Sequence, residues 1–182
     1  MIIVVFNMHP DFLAIDFETA NYSIDSACAI GLVRVSKGKI VSQKVSLVKP
    51  KSRSFVFTHV HGITWTDVSA APTFGELWPE IAHFFSGIEF LAAHNASFDR
   101  RVLTACCQLY GIPVPVAPFS CSVKLARQTW GIRPTNLANV CRHLDIPLNH
   151  HEALSDAMAC AKIFLAAGRS TVIETQPGFQ FS

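Results

Sequence analysis

Asp16 and Glu18 stand two residues apart at the end of an apolar run, Phe12-Leu13-Ala14-Ile15. If that run is a strand, both carboxylates project from one face. Two adjacent carboxylates are costly unless a cation lies between them. The pair is therefore either a ligand set for a divalent ion, which takes oxygen donors, or two solvated acids at a strand end. Asp99 closes the stretch His94-Asn95-Ala96-Ser97-Phe98-Asp99, where a strand passes into a helix. It fits a third ligand, or an acid favoured by the helix N-terminus. His151 and Asp156 come last, at the entrance to an alanine-rich helix. Asp156 again fits a ligand or a dipole acid. His151 fits a surface histidine, or a proton acceptor, since an unperturbed imidazole titrates near pH ~6.5.

The elements that must position these groups follow from hydrophobic periodicity. Residues 12–17 read as a buried strand, and 29–35 and 40–48 as two more, with Gly38 in the turn at 36–39. Phe74, Leu77, Trp78, Ile81, Phe84 and Phe85 form a helical stripe across 73–85, with Thr73 and Glu76 at capping-box spacing. Pro79 within that stripe predicts a kink, or a helix that begins near Pro79. A strand at 89–93 and a helix at 98–110, stopped by Gly111, come next. A short strand at 119–122 leads into helices over 123–130, around Leu137 to Leu144, and over 153–167, the last ended by Gly168. A hairpin start followed by alternating strands and helices predicts an α/β fold, a mixed sheet flanked by helices. The expected organisation is an N-terminal extension at 1–10, one domain over 11–168 and a flexible tail at 169–182.

The chain has 182 residues and is 50% hydrophobic, which suits one domain with a full core. A net charge of +2 is too weak to argue for a broad duplex-coating surface, and a grip on a few terminal phosphates needs no more, so charge is uninformative about nucleic acid. None of the six cysteines forms a C-x-x-C pair. They read as buried, reduced thiols of a cytoplasmic protein, with a zinc site that recruits some of the eight histidines as the alternative. Residues 1–6 are apolar but too short for a membrane span and lack signal-peptide features, so no membrane contact is expected. Met8 could serve as a second start. No G-x-G-x-x-G follows the first strand, which argues against a dinucleotide enzyme.

Taken in order, three motifs resemble one family. Asp16-Phe17-Glu18-Thr19 is similar to its first, His94-Asn95 with Phe98-Asp99 to its second, and His151 with Asp156 five residues on to its third. This is the DEDDh (DnaQ-like) 3′–5′ exonuclease family, which includes the proofreading epsilon subunit of bacterial DNA polymerase III, oligoribonuclease and ribonuclease T. The proofreading type looks nearest, and the likeness covers about residues 12–167. The resemblance implies a ribonuclease H-like fold. It implies that Asp16, Glu18, Asp99 and Asp156 hold two Mg²⁺ or Mn²⁺ ions, and that His151 is the general base for the attacking water. A nucleoside 5′-monophosphate would then leave from a nucleic acid 3′ end. His61-Gly62-Ile63-Thr64 resembles the family's loop beside the terminal nucleotide. Phe17, Thr19, His61 and Asn95 become candidate substrate contacts, with a capping or surface role as the alternative for His61. Arg100, Arg101, Lys124 and Arg127 are candidate phosphate contacts or simply solvated cations.

The resemblance to the proofreading type points to single-stranded or frayed DNA, in proofreading or repair. The alternative is an exoribonuclease acting on short RNA or RNA 3′ ends. A binding module that has lost catalysis would lack a ligand or the base, and none is missing. A ribonuclease H-type endonuclease would not require His151 and Asp156 in this place. Beyond the domain, Gln176, Phe179 and Phe181 resemble a sliding-clamp-binding peptide. Alternatively, the two phenylalanines fold back on their own domain.

Overall fold

The first strand, β1 (Phe12–Thr19), is apolar on both sides because it feeds two cores. Leu13, Ile15 and Phe17 enter one, and Phe12 and Ala14 the other. β2 (Ala27–Ser36) pairs antiparallel with β1 and with β3 (Lys39–Leu47). The β2–β3 turn places Lys37 at φ 50° and Gly38 at φ 72°, the left-handed pair that a two-residue hairpin turn requires. β4 (Phe90–Ala93) and β5 (Phe119–Cys121) add in parallel, giving the order β3-β2-β1-β4-β5. The carboxyl ends of β1, β4 and β5 therefore share one edge of the sheet.

This computed structural model describes residues 10–174, with side chains to residue 168. The N-terminal extension and the Gln176, Phe179, Phe181 peptide lie outside the described residues, apart from Pro10. Two short helices, α1 (Thr58–His61) and α2 (Trp65–Val68), occupy the connection after β3 and were not expected. Gly62 ends α1 at φ 77°, and Thr64 with Asp67 forms a capping box on α2. α3 (Phe74–Ile81) starts on the expected Thr73–Glu76 box. Pro79 lies inside α3 instead of opening it. It has no N–H to donate, and the helix tightens into a 3₁₀ turn at Ala82–Phe85. α4 (Ser97–Leu109), α5 (Ser122–Trp130) and α6 (Leu137–His143) lie where periodicity placed them. The last helix, α7, runs Ala153–Glu174, straight through the stop expected at Gly168. A glycine ends a helix by turning left-handed, and Gly168 is not among the positive-φ residues. The expected domain boundary at 168 thus falls within a helix.

Helices α3 and α4 cover one sheet face with Phe74, Leu77, Ile81, Val102 and Leu103. On the other face α7 presents small residues, Ala157, Cys160 and Ala161, against Phe12, Ala14, Val33 and Val35. Gly31 of β2 marks how close this approach is. A Cβ there would lie 2.1 Å from the Ala153 carbonyl oxygen. All six cysteines are free thiols, and five are buried. No helix among the described residues is long and apolar enough to cross a membrane.

Candidate active site

β1 carries Asp16 and Glu18 to the shared strand edge on the face covered by α7. Asp16 pairs in register with Gly31. Because Gly31 lets the start of α7 touch β2, Asp156 in the first turn of α7 comes down beside both acids. Ligand oxygens of Asp16, Glu18 and Asp156 all lie within 4.8 Å of one another. Asp99 arrives from the first turn of α4, 2% exposed. Its Oδ1 accepts the Phe17 backbone N–H at 3.1 Å, which ties α4 to β1 between the two strand acids.

Four carboxylates crowded this way resist ionisation together. The Asp16 pKa is driven well up by burial first, then by the charges of Asp99, Asp156 and Glu18. Burial, reinforced by Asp156 and Asp99, pushes Glu18 up to about 8. Burial lifts Asp99 to about 7 against the opposing Phe17 N–H. Burial also raises Asp156, opposed by its hydrogen bond from His150. Among the described residues no lysine or arginine neutralises the cluster, and its one salt-bridge contact is His150 to Asp156.

The two adjacent histidines divide their contacts. The expected base, His151, meets Asp156 through its backbone N–H, 3.2 Å from Oδ2, and its own φ is 66°. The side chain bonded to Asp156 is that of His150, with Nδ1 3.0 Å from Oδ2. The two rings stack at 3.8 Å with planes 15° apart. His151 therefore keeps an exposed ring in a groove of about 370 Å³ that it shares with His61, Ile63, Val45, Leu47 and Val60.

His61 is held in one tautomer. Its Nδ1 accepts the Ile63 N–H at 3.1 Å, so Nε2 carries the hydrogen and donates to the Thr19 carbonyl at 3.1 Å. Burial lowers its pKa and keeps it neutral. Asn95 is exposed at φ 68° and lines a second groove with Arg100, Phe119, Cys121 and Lys124. Phe17 needs correction. It was expected to pack on a base or sugar, but it is 3% exposed and lies in the core against Phe74. Thr19 is 7% exposed and meets the site through its carbonyl, leaving little side-chain surface for substrate. Arg127 donates to Thr135 Oγ1 at 2.7 Å, which braces the loop before α6.

The exonuclease family model, of the ribonuclease T type, matches residues 13–164, a span that includes all four acids and His151. The chain belongs to the exonuclease family. Exodeoxyribonuclease 10 of Escherichia coli strain K12 is 35% identical over 158 residues, covering 83% of this chain and 66% of that protein. The PolC-type DNA polymerase III of Thermotoga maritima is 31% identical over 159 residues, covering 85% of this chain but only 12% of its own length. The chain thus spans about an eighth of such polymerases. A solved structure of exonuclease X in complex with 5′ overhanging duplex DNA matches at TM-score 0.71 with 27% identity, covering 88% of this chain and 93% of that one. These likenesses confirm the expected ribonuclease H-like mixed sheet.

The donor set of this site fits hard divalent cations. All the donors are carboxylate oxygens, mutually repelling and without a cationic side chain. Asp156 Oδ1 is buried with no hydrogen-bond partner, as an oxygen reserved for an ion would be. Three features of the site were not foreseen from the sequence. One is the His150–Asp156 bond. Another is Gly31, although a lone glycine inside an apolar strand is the usual sign of close backbone approach. The third is the bracing of His94. Its Nε2 donates to the Thr135 carbonyl at 3.0 Å, and its Nδ1 lies 2.7 Å from Ser122 Oγ. With its pKa lowered by burial to about 4, His94 is a neutral strut joining β4, α5 and the loop before α6.

Proposed function

We propose that this exonuclease is a 3′–5′ enzyme that releases nucleoside 5′-monophosphates from the 3′ end of single-stranded or frayed DNA. The observation that carries the reading is the meeting of Asp16, Glu18 and Asp156 within 4.8 Å, beside buried Asp99 and the exposed ring of His151. Asp16, Glu18, Asp99 and Asp156 would hold two divalent cations, Mg²⁺ or Mn²⁺, which when bound would neutralise charge on the reacting phosphate and help ionise water. His151 takes the proton from that water as its oxygen attacks phosphorus, the bond to the preceding 3′ oxygen breaks, and that oxygen takes a proton from solvent to become a 3′-hydroxyl. The Asp156 carboxylate fixes the His151 backbone by accepting its N–H. Neutral His61 and the apolar wall of Val45, Leu47, Val60 and Ile63 suit the terminal nucleoside. Asn95, Arg100 and Lys124 suit the strand upstream. No role in the reaction is assigned to His150.

DNA is favoured over RNA because the relatives include an exodeoxyribonuclease and DNA polymerases. Action within a polymerase assembly, a cytoplasmic setting and clamp binding through Gln176, Phe179 and Phe181 belong to the same proposal. The clamp part is checked by binding of a 174–182 peptide, with Gln176→Ala and Phe181→Ala peptides beside it. The central test is digestion of matched DNA and RNA oligonucleotides, labelled at either end, in Mg²⁺ and in EDTA. The expected result is stepwise shortening of DNA from its 3′ end, abolished by EDTA. Internal cuts, or activity that persists in EDTA, would overturn the reading.

A further inference from the structure

One cluster beside the acids has a donor chemistry of its own. His150, His151 and Asp156 each offer a ligand atom, and the three lie within 4.8 Å of one another. Nδ1 of His150 is 3.0 Å from Asp156 Oδ2, while the two imidazole rings stack at 3.8 Å, so both converge on one ion once the exposed His151 ring swings out of the stack. Both rings are exposed and line the same groove, so an ion reaches them from solvent. Two imidazole nitrogens and one carboxylate form a set that suits a borderline-soft cation, unlike the all-oxygen set next to it. A tetrahedral zinc site with bonds of ~2.1 Å has donor–donor edges of roughly 3.4 Å. The 3.0 Å separation between His150 and Asp156 needs to open by only about 0.4 Å to match such an edge.

We propose that His150, His151 and Asp156 form a Zn²⁺ site whose occupation switches the exonuclease off. The proposal rests on His151 being the base and Asp156 an acid of the catalytic cluster. Zinc needs unprotonated imidazole nitrogens, so a proton on His150 Nδ1 passes to Nε2 or to solvent as the ion binds. A ring nitrogen of His151 engaged with zinc no longer accepts a proton from water. The Asp156 carboxylate is drawn toward the histidines and away from Asp16 and Glu18. Magnesium does not relieve the block efficiently, because it prefers oxygen donors and octahedral geometry.

The test uses the full chain with Zn²⁺ and with Co²⁺ as a spectroscopic stand-in. Four-coordinate Co²⁺ on nitrogen and oxygen donors absorbs visible light strongly, whereas six-coordinate Co²⁺ on oxygens absorbs weakly. His150→Phe keeps a ring to stack on His151 but removes the donor, and His150→Ala repeats the comparison without the ring. The wild type should show the strong cobalt bands and lose Mg²⁺-supported hydrolysis as Zn²⁺ is added. Both variants should keep hydrolysis in Mg²⁺, lose the bands, and need more Zn²⁺ by at least the roughly 10–100-fold typical of losing even an outer partner of a metal site. Equal cobalt spectra and equal zinc sensitivity in wild type and variants would overturn the site, as would a wild type insensitive to zinc. A wild type that shows the bands but hydrolyses nothing in Mg²⁺ would leave the site standing and sink the exonuclease mechanism instead.

Discussion

At the scale of single residues, the crowding of like charges sets the behaviour of the metal-free protein. Glu18 is raised to about 8 and Asp99 to about 7, whereas both would ionise near 4 in the unfolded chain. Between those values the folded state binds more protons than the unfolded one, so stability falls as pH rises. In EDTA, the melting temperature should therefore climb as pH drops from about 8 toward 5. Mg²⁺ should flatten that slope by favouring the ionised acids. A melting curve independent of pH in EDTA would show that the acids do not strain one another. Asp16→Asn and Asp156→Ala should each abolish hydrolysis by orders of magnitude, yet melt no lower than wild type in EDTA, since each relieves repulsion. His151→Ala should slow turnover by ~10²–10⁴-fold while leaving metal binding in place. The same loss in His150→Ala, with His151→Ala active, would reassign the base to His150.

At the scale of elements, the acids owe their spacing to the contact between α7 and β2 at Gly31. A Cβ at this position meets backbone atoms of Ala153 and Leu154, which cannot rotate away. Restoring ordinary contact from 2.1 Å requires the start of α7 to retreat by about 1.3 Å, carrying Asp156 from Asp16 and Glu18. Misplacement by ~1 Å can cost about 10²-fold in rate. Gly31→Ala should thus lower turnover by about that factor and raise the Mg²⁺ concentration needed for half-maximal rate. Val33→Ala, on the same strand and against the same helix, is the control: it thins the core without pushing α7 away. Wild-type turnover in Gly31→Ala would show that this close approach does not set the metal spacing.

At the scale of the molecule, a strand bound in the Asn95 groove and cut at the acids would cross the sheet edge where β1, β4 and β5 end. Neighbouring strands lie ~4.8 Å apart, so the groove at the end of β5 is roughly 10 Å from the acids on β1. Stacked nucleotides at ~3.4 Å each cover that distance in about three steps. Arg100 and Lys124 stand exposed in this groove with no ion pair among the described residues. A modest net charge of +2 would then suffice for a strand that runs past these cations. Replacing both by alanine should flatten the slope of log affinity against log salt for a single-stranded oligonucleotide by about 1.4, at ~0.7 for each phosphate no longer neutralised. An unchanged slope would put the upstream strand elsewhere.

The sequence by itself determined the order of the four acids, the histidine five residues before the last of them, and the strands and helices that carry them. Those features are local: the period of a strand, a capping box and the five-residue step from His151 to Asp156 need no distant partner. Strand alternation also sends Phe17 to the face opposite Asp16 and Glu18, so its burial was legible even though the family likeness pointed to substrate. Gly168 misled because a glycine stops a helix only where the chain is free to turn left-handed. Only the tertiary structure decided which histidine touches Asp156. With a left-handed φ at His151, it is the His151 backbone N–H and the His150 ring that bond the carboxylate, and spacing along the chain cannot reveal such a turn. The raised acid pKa values are tertiary for the same reason. Asp16, Asp99 and Asp156 lie far apart in sequence, and they repel only because α4 and α7 dock on the two faces of one strand.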